Sequence, residues 1–139
     1  MLTARQAELI QTSFAQVAAL GDAAGELFYQ RLFDNAPTLR RMFPTDIKPQ
    51  ARKLTAALAT VADHVSVLDT ILPVIDDLGR RHATYGVQAA HYDVVGKVLL
   101  ATLQEALGDA FTPETEDAWA IAYRTLAKQM IAACQTEAA

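Results

Sequence analysis

The fold is decided by the stretch Leu72-Pro73-Val74-Ile75-Asp76-Asp77-Leu78-Gly79-Arg80-Arg81-His82-Ala83-Thr84-Tyr85-Gly86. Leu72, Ile75, Leu78 and His82 recur at intervals of three and four, the repeat of one face of an α-helix, while Asp76, Asp77 and Arg80 belong to the polar face. Pro73 fits only a first turn, where its missing N–H has no helical partner to lose, and Gly86 supplies the stop. A histidine thus stands on an apolar stripe, and an imidazole aimed into a core needs a partner. Two readings stay open at this point. His82 either hydrogen-bonds a backbone carbonyl or Tyr92 inside a packed core, or it is the axial ligand of a metal that arrives within a cofactor and finds an apolar slot beside it.

The same helical repeat continues outward in both directions. Upstream, Leu54, Leu58, Val61 and Val65, widened by Ala57 and Ala62, predict a helix from Pro49 to about Val65. Before it, a helix following Asp22 carries Leu27, Phe28 and Leu32 with Tyr29 and Phe33 beside them. It stops ahead of Pro37, which opens a short turn of helix ending at Met42, Phe43 and Pro44. The first helix opens on a Thr3/Gln6 capping box, presents Leu9, Ile10, Phe14 and Val17, and ends near Leu20 and Gly21. Downstream, a helix from about Gln88 to Leu107 turns Val95, Val98, Leu99 and Leu103 inward. Gly108 and Asp109 break it, and Thr112 and Pro113 start a last helix with Trp119, Tyr123, Leu126 and Met130 as its buried stripe. No segment alternates as a strand would, so one all-α domain over residues 1–139 is expected.

Composition removes several function classes. With 52% hydrophobic and 20% charged residues the 139-residue chain can bury a core, yet no window approaches eighteen uninterrupted apolar residues, so no membrane span is expected. Twelve Lys and Arg against 16 Asp and Glu give a net charge of −4, which offers no basic stripe for nucleic acid. Cys134 is the one cysteine and cannot form an internal disulfide, and no two of the three histidines share the spacing of a helical metal cage. Met1 to Leu20 carries Arg5, Gln6 and Glu8 where a signal peptide needs an apolar run, so a cytoplasmic location is expected.

The segment Leu78 to Val87, followed by Ala90-His91-Tyr92-Asp93-Val94-Val95-Gly96, closely resembles the proximal region of single-domain bacterial globins and of the globin domain of flavohaemoglobins. Leu27-Phe28-Tyr29-Gln30-Arg31-Leu32-Phe33 and Met42-Phe43-Pro44 resemble the second helix and the corner of the same family, and Ala118-Trp119 with Ala122-Tyr123 resemble its last helix. Several motifs in one order over nearly the whole chain make the resemblance specific. It implies a globin fold of seven to eight helices around one haem pocket, with haem b (iron protoporphyrin IX) as cofactor.

Carried onto this sequence, the resemblance makes His82 the proximal iron ligand, Phe43 the ring packed on the haem face at the corner, and Tyr29 the distal hydroxyl. Gln50 falls where the family has its distal helix residue, and Leu54, one turn later on the same face, closes the pocket. A hydroxyl and an amide donor there would stabilise a gas ligand that takes on negative charge. Lys53 and Arg81, with Arg52, are the cations nearest the haem edge and are candidates for its propionates, although flank charges also occur merely solvated. His64 lies fourteen residues past Gln50, roughly 21 Å along the helix, too far for either face of the haem. His91 reads as a surface or interhelical polar residue.

One departure from the family bears on chemistry. Tyr92 stands where the family has a tyrosine that joins a glutamate of the last helix in hydrogen-bonding the proximal histidine, and counting from Ala118-Trp119 puts Cys134 at that glutamate's place. A neutral thiol is a poor acceptor, so His82 should push less electron density onto iron unless Glu137, three residues on, takes the role. Cys134 is otherwise a small buried hydrophobe. For function, the resemblance implies reversible binding of dioxygen for storage, delivery or scavenging, with carbon monoxide and nitric oxide as further ligands. The alternatives are a nitric oxide dioxygenase served by a separate reductase, since 139 residues leave no room for flavin and nicotinamide domains, and a haem-based gas sensor.

Overall fold

The computed structural model describes the backbone of residues 2–138 and the side chains of residues 2–134. Its helices are α1 (Ala4–Ala18), α2 (Asp22–Asn35), α3 (Lys48–Asp63), α4 (Leu72–Thr84), α5 (Ala89–Leu107) and α6 (Pro113–Ala138). Three 3-10 segments, Pro37–Met42, Val65–Ile71 and Gly108–Ala110, join them. Among the described residues there is no strand, and no single helix is long and apolar enough to cross a membrane.

The starts and stops follow local chemistry. The Thr3 hydroxyl accepts from the Gln6 backbone N–H at 3.1 Å while the Gln6 side chain accepts from Thr3 N–H at 2.9 Å, which satisfies two orphan donors at the head of α1. Gly21 and Gly86 take φ of +67° and +91°, the left-handed backbone that ends a helix cheaply only at glycine. The expected third helix ran to Val65, but α3 stops at Asp63, and a 3-10 segment with a non-helical Val67 fills 65–71. At that break the His64 ring holds the Thr60 carbonyl at 2.8 Å and the chain turns by 104°. Two adjoining walls, α3 and α4, result from this turn.

The core gathers α1, α2, α5 and α6 around Ile10, Leu32, Leu103 and Trp119. One buried polar link crosses it: Trp119 Nε1 donates to Ser13 Oγ at 2.9 Å, and Ser13 in turn donates to the Leu9 carbonyl at 2.6 Å. Two expectations about facing are corrected. The buried face of α6 is Thr115, Ala118, Trp119, Ala122, Ala127 and Ala133, with Tyr123, Leu126 and Met130 only half-buried, because α6 meets its neighbours at distances that admit small side chains. Leu72 is 37% exposed, since it opens α4 at the outer end of the turn.

Two glycines set the crossings that matter for the site. A Cβ on Gly25 would stand 2.8 Å from the Ala51 carbonyl oxygen, so α2 and α3 touch backbone to backbone. A Cβ on Gly79 would stand 2.5 Å from the Met130 carbonyl oxygen, so α4 lies equally close on α6. Neither contact leaves room for any other residue without movement of a helix.

Candidate cofactor pocket

The first group of candidates is brought together by the α2–α3 crossing. Tyr29 lies one helical turn after Gly25 and Gln50 immediately precedes Ala51, so the close approach brings the two side chains together. The Gln50 amide donates to the Tyr29 hydroxyl at 3.4 Å. Tyr29 is 5% exposed, and its ring meets Phe28 edge-on at 4.9 Å and Phe43 at 5.4 Å. Burial pushes the phenol pKa up and the Gln50 bond offsets only part of that, so the hydroxyl keeps its proton. With its oxygen taken by Gln50 and its proton given to no described group, Tyr29 is poised to donate.

The corner is held from outside by a residue that the sequence pattern did not single out. Arg40 lies over the Phe33 ring at 4.9 Å, and its guanidinium donates to the carbonyls of Phe43, Pro44 and Thr45 at 3.3, 2.9 and 2.8 Å. Phe43 is thereby fixed against Phe33 at 5.4 Å as well as Tyr29. One of two adjacent arginines in a 3-10 turn carries no periodic signal, which is why its role emerges only in three dimensions.

His82 lies near the end of α4 and is half-buried. Its Nδ1 is 2.7 Å from the Leu78 carbonyl oxygen, an acceptor only, so Nδ1 carries a proton, and in the neutral ring the lone pair is on Nε2. The Tyr92 ring lies 6.4 Å from the imidazole at an interplanar angle of 30°. Burial raises the Tyr92 pKa, with the Cys134 thiol adding to it. Cys134 does not bond the histidine: its thiol donates to the Gly79 carbonyl at 2.9 Å. The side chain of Glu137 lies outside the described residues.

The remaining candidates have the following surroundings. Leu54 is half-buried one turn past Gln50 and packs against the core with Ile47, Leu58 and Val95. Lys53 is exposed, Arg81 pairs with Asp77 on its own helix at 2.6 Å, and Arg52 approaches Asp22 at 3.7 Å. His91 accepts from Gln88 N–H at 2.9 Å and so caps α5. An open cleft of about 400 Å³ between α5 and α6, lined by Tyr92, Asp93, Tyr123, Arg124 and Lys128 among others, has neither His82 nor Tyr29 in its wall and borders the imidazole only through Tyr92.

The residues present fit a flat apolar macrocycle carrying one metal. Phe43, Ile47, Leu54, Leu58 and Val95 are apolar side chains packed against the core and only partly covered, as surface for an apolar group would be. A lone pair on a fixed imidazole offers the metal one ligand, and a buried hydroxyl is ready to donate. Such a pocket within an all-helical fold defines a class of protein in which a helical frame cages a prosthetic group.

Comparison with known proteins places the chain within that class. The globin family model matches residues 26–130, and the chain belongs to the globin family. It is 37% identical to a flavohemoprotein of Bordetella parapertussis and 33% identical to one of Vibrio cholerae, in each case over 134 residues and 94% of this chain. The chain spans about a third of the length of these relatives, 33% and 34% respectively. Among solved structures it resembles a bacterial globin from Campylobacter jejuni, with a TM-score of 0.87 at 24% identity over 98% of this chain and 99% of that one. It also resembles an engineered carbene transferase made from a Rhodothermus marinus protein assigned as a nitric oxide dioxygenase, with a TM-score of 0.88 at 26% identity over 99% and 96%.

Proposed function

We propose that the chain binds one b-type haem through His82 Nε2 and uses Tyr29 and Gln50 to hold a diatomic gas, dioxygen first, with carbon monoxide and nitric oxide as further ligands. The observation that carries this reading is the Nδ1–H of His82 fixed on the Leu78 carbonyl, because it orients the ring and, in the neutral imidazole, puts the lone pair on the opposite nitrogen. Haem, when bound, supplies an iron that accepts such gases. The chain's own contribution is to exclude water with Phe43 and Leu54, to fix the imidazole from below, and to present a protonated hydroxyl held in place by an amide. Lys53 and Arg81 would serve the propionates at the rim, Arg81 by giving up its exposed pair with Asp77, an exchange that costs little because such surface pairs contribute about 0–1 kcal/mol.

A second reading is favoured by the kinship with flavohemoproteins and with the Rhodothermus protein: oxidation of nitric oxide to nitrate by dioxygen in the same pocket, with electrons from a reductase. Both readings require haem at His82, so that is tested first. The purified protein is titrated with hemin, reduced, and its absorption recorded with and without carbon monoxide. One haem per chain with a five-coordinate ferrous imidazole spectrum is expected. His82→Ala should lose that spectrum, and added imidazole should restore part of it through the cavity left behind. An unchanged spectrum in His82→Ala would overturn the assignment.

A further inference from the structure

On α4, Asp76, Gly79 and His82 follow one another at intervals of three, so the strip that faces α6 runs beside the strip that bears the imidazole. Three contacts bind this strip to α6. The Gln129 amide donates to Asp76 Oδ1 at 2.7 Å, the backbone of Met130 lies where a side chain on Gly79 would be, and the Cys134 thiol donates to the Gly79 carbonyl at 2.9 Å. The middle contact is backbone against backbone, with no flexible side chain between to absorb a displacement. A carbonyl has two lone pairs, so Gly79 can accept from the thiol in addition to its helical partner. Leu78, next in the chain, supplies the carbonyl that holds His82 Nδ1 at 2.7 Å. Leu78 and His82 share α4, so any shift of α4 on α6 carries the imidazole and its acceptor together relative to the surrounding helices and the Tyr92 ring.

We propose that Gly79 and Cys134 are positioning residues for His82: together they seat its helix on the backbone of α6 and so set the place of the imidazole in the pocket. The thiol's hydrogen bond goes to the helix that carries the histidine and not to the histidine itself, which gives Cys134 a role distinct from that of a proximal acceptor. The importance of this seating for the iron rests on the haem reading above, whereas its effect on the imidazole does not. Gly79→Ala raises helix propensity, so any loss it causes comes from forced separation of α4 and α6.

The test compares Gly79→Ala, Cys134→Ala and Cys134→Ser with the parent protein and with Ile10→Ala, a core truncation in α1 at a residue that is 0% exposed. In the ferrous hemin-loaded proteins the iron–histidine stretching band is read by resonance Raman, and haem loss to excess acceptor apoglobin is timed. In the haem-free proteins the His82 ring nitrogens are read by 15N NMR. Gly79→Ala and Cys134→Ala should shift the band and the ring signals, Cys134→Ser should restore both by keeping a donor, and Gly79→Ala should speed haem loss by about tenfold. Ile10→Ala should lower the melting temperature and leave the band and ring signals in place. Unmoved band and ring signals in Gly79→Ala and Cys134→Ala would overturn the proposal, as would an equal shift in Ile10→Ala. If no protein takes up haem yet the ring signals follow the expected pattern, the seating stands and the haem reading falls. Should Gly79→Ala fail to fold, the Cys134 pair decides alone.

Discussion

Tyr29 joins two properties that oppose each other in water: it is buried, and its hydroxyl proton is uncommitted. A donor of this kind gains a charge-assisted hydrogen bond of about 1.5–3 kcal/mol to a ligand that becomes negative, and little to nearly apolar carbon monoxide. Tyr29→Phe should therefore speed dioxygen release by about one to two powers of ten while carbon monoxide release barely moves, since each 1.4 kcal/mol is tenfold. Gln50→Leu should act in the same direction more weakly, and the double variant should be non-additive because the amide acts through the hydroxyl at 3.4 Å. Stopped-flow mixing checks all three, and unchanged dioxygen release in Tyr29→Phe would reassign the residue to packing. In the sequence His82 stands out because it lies on an apolar stripe, Tyr29 because it falls within a family motif, and Gln50 because it falls where the family has its distal helix residue. The bond of Cys134 to a carbonyl of α4 was not legible, since it depends on how close two helices approach and not on their spacing in the chain.

At the scale of helices, proline, glycine and capping residues marked the boundaries well: Thr3, Pro37, Gly86, Gln88 and Pro113 each lie within a residue or two of a helix end. The 3-10 segment Val65–Ile71 escaped notice because its residues are as apolar as those of a helix and contain no breaker before Pro73. Gly25 escaped for a different reason. It is the fourth residue of α2, with no positive φ to explain it, and the close approach of Ala51 accounts for its small size. Gly25→Ala should force α2 and α3 apart, with an overpacking cost of about 1–3 kcal/mol against a helix-propensity gain of up to about 1 kcal/mol. The urea midpoint should fall, and the dioxygen release rate should rise as Tyr29 and Gln50 separate. A higher midpoint with unaltered release would show that the crossing relaxes freely.

Across the whole molecule, three tyrosines, Tyr29, Tyr92 and Tyr123, have pKa values raised by burial above the ordinary value of 10.0. The folded state holds these protons more tightly than the unfolded chain, so their contribution to stability is fully present below about pH 10 and is lost as pH rises through the folded values. Urea midpoints measured from pH 7 to 12 should be flat at first and then fall. Tyr123→Phe removes a hydroxyl that donates to the Tyr92 carbonyl at 2.7 Å, so it should cost about 0.5–1.5 kcal/mol at neutral pH. It should also fall less steeply above pH 10, narrowing the gap to the parent protein. A gap that widens with pH would contradict the burial of this group.

The bond between Trp119 and Ser13 joins residues 106 apart in the chain. On a ribosome adding roughly 5–20 residues per second, the serine is made about 5–20 s before the indole that completes its surroundings. During that interval Ile10, Phe14 and Val17 have no final partner from α6, and the apolar face of α1 must wait within the emerging polypeptide. A globin domain of this build closes only once α6 has been made and returns to α1, and the nascent domain is most exposed to holdase chaperones and proteases just before that closure.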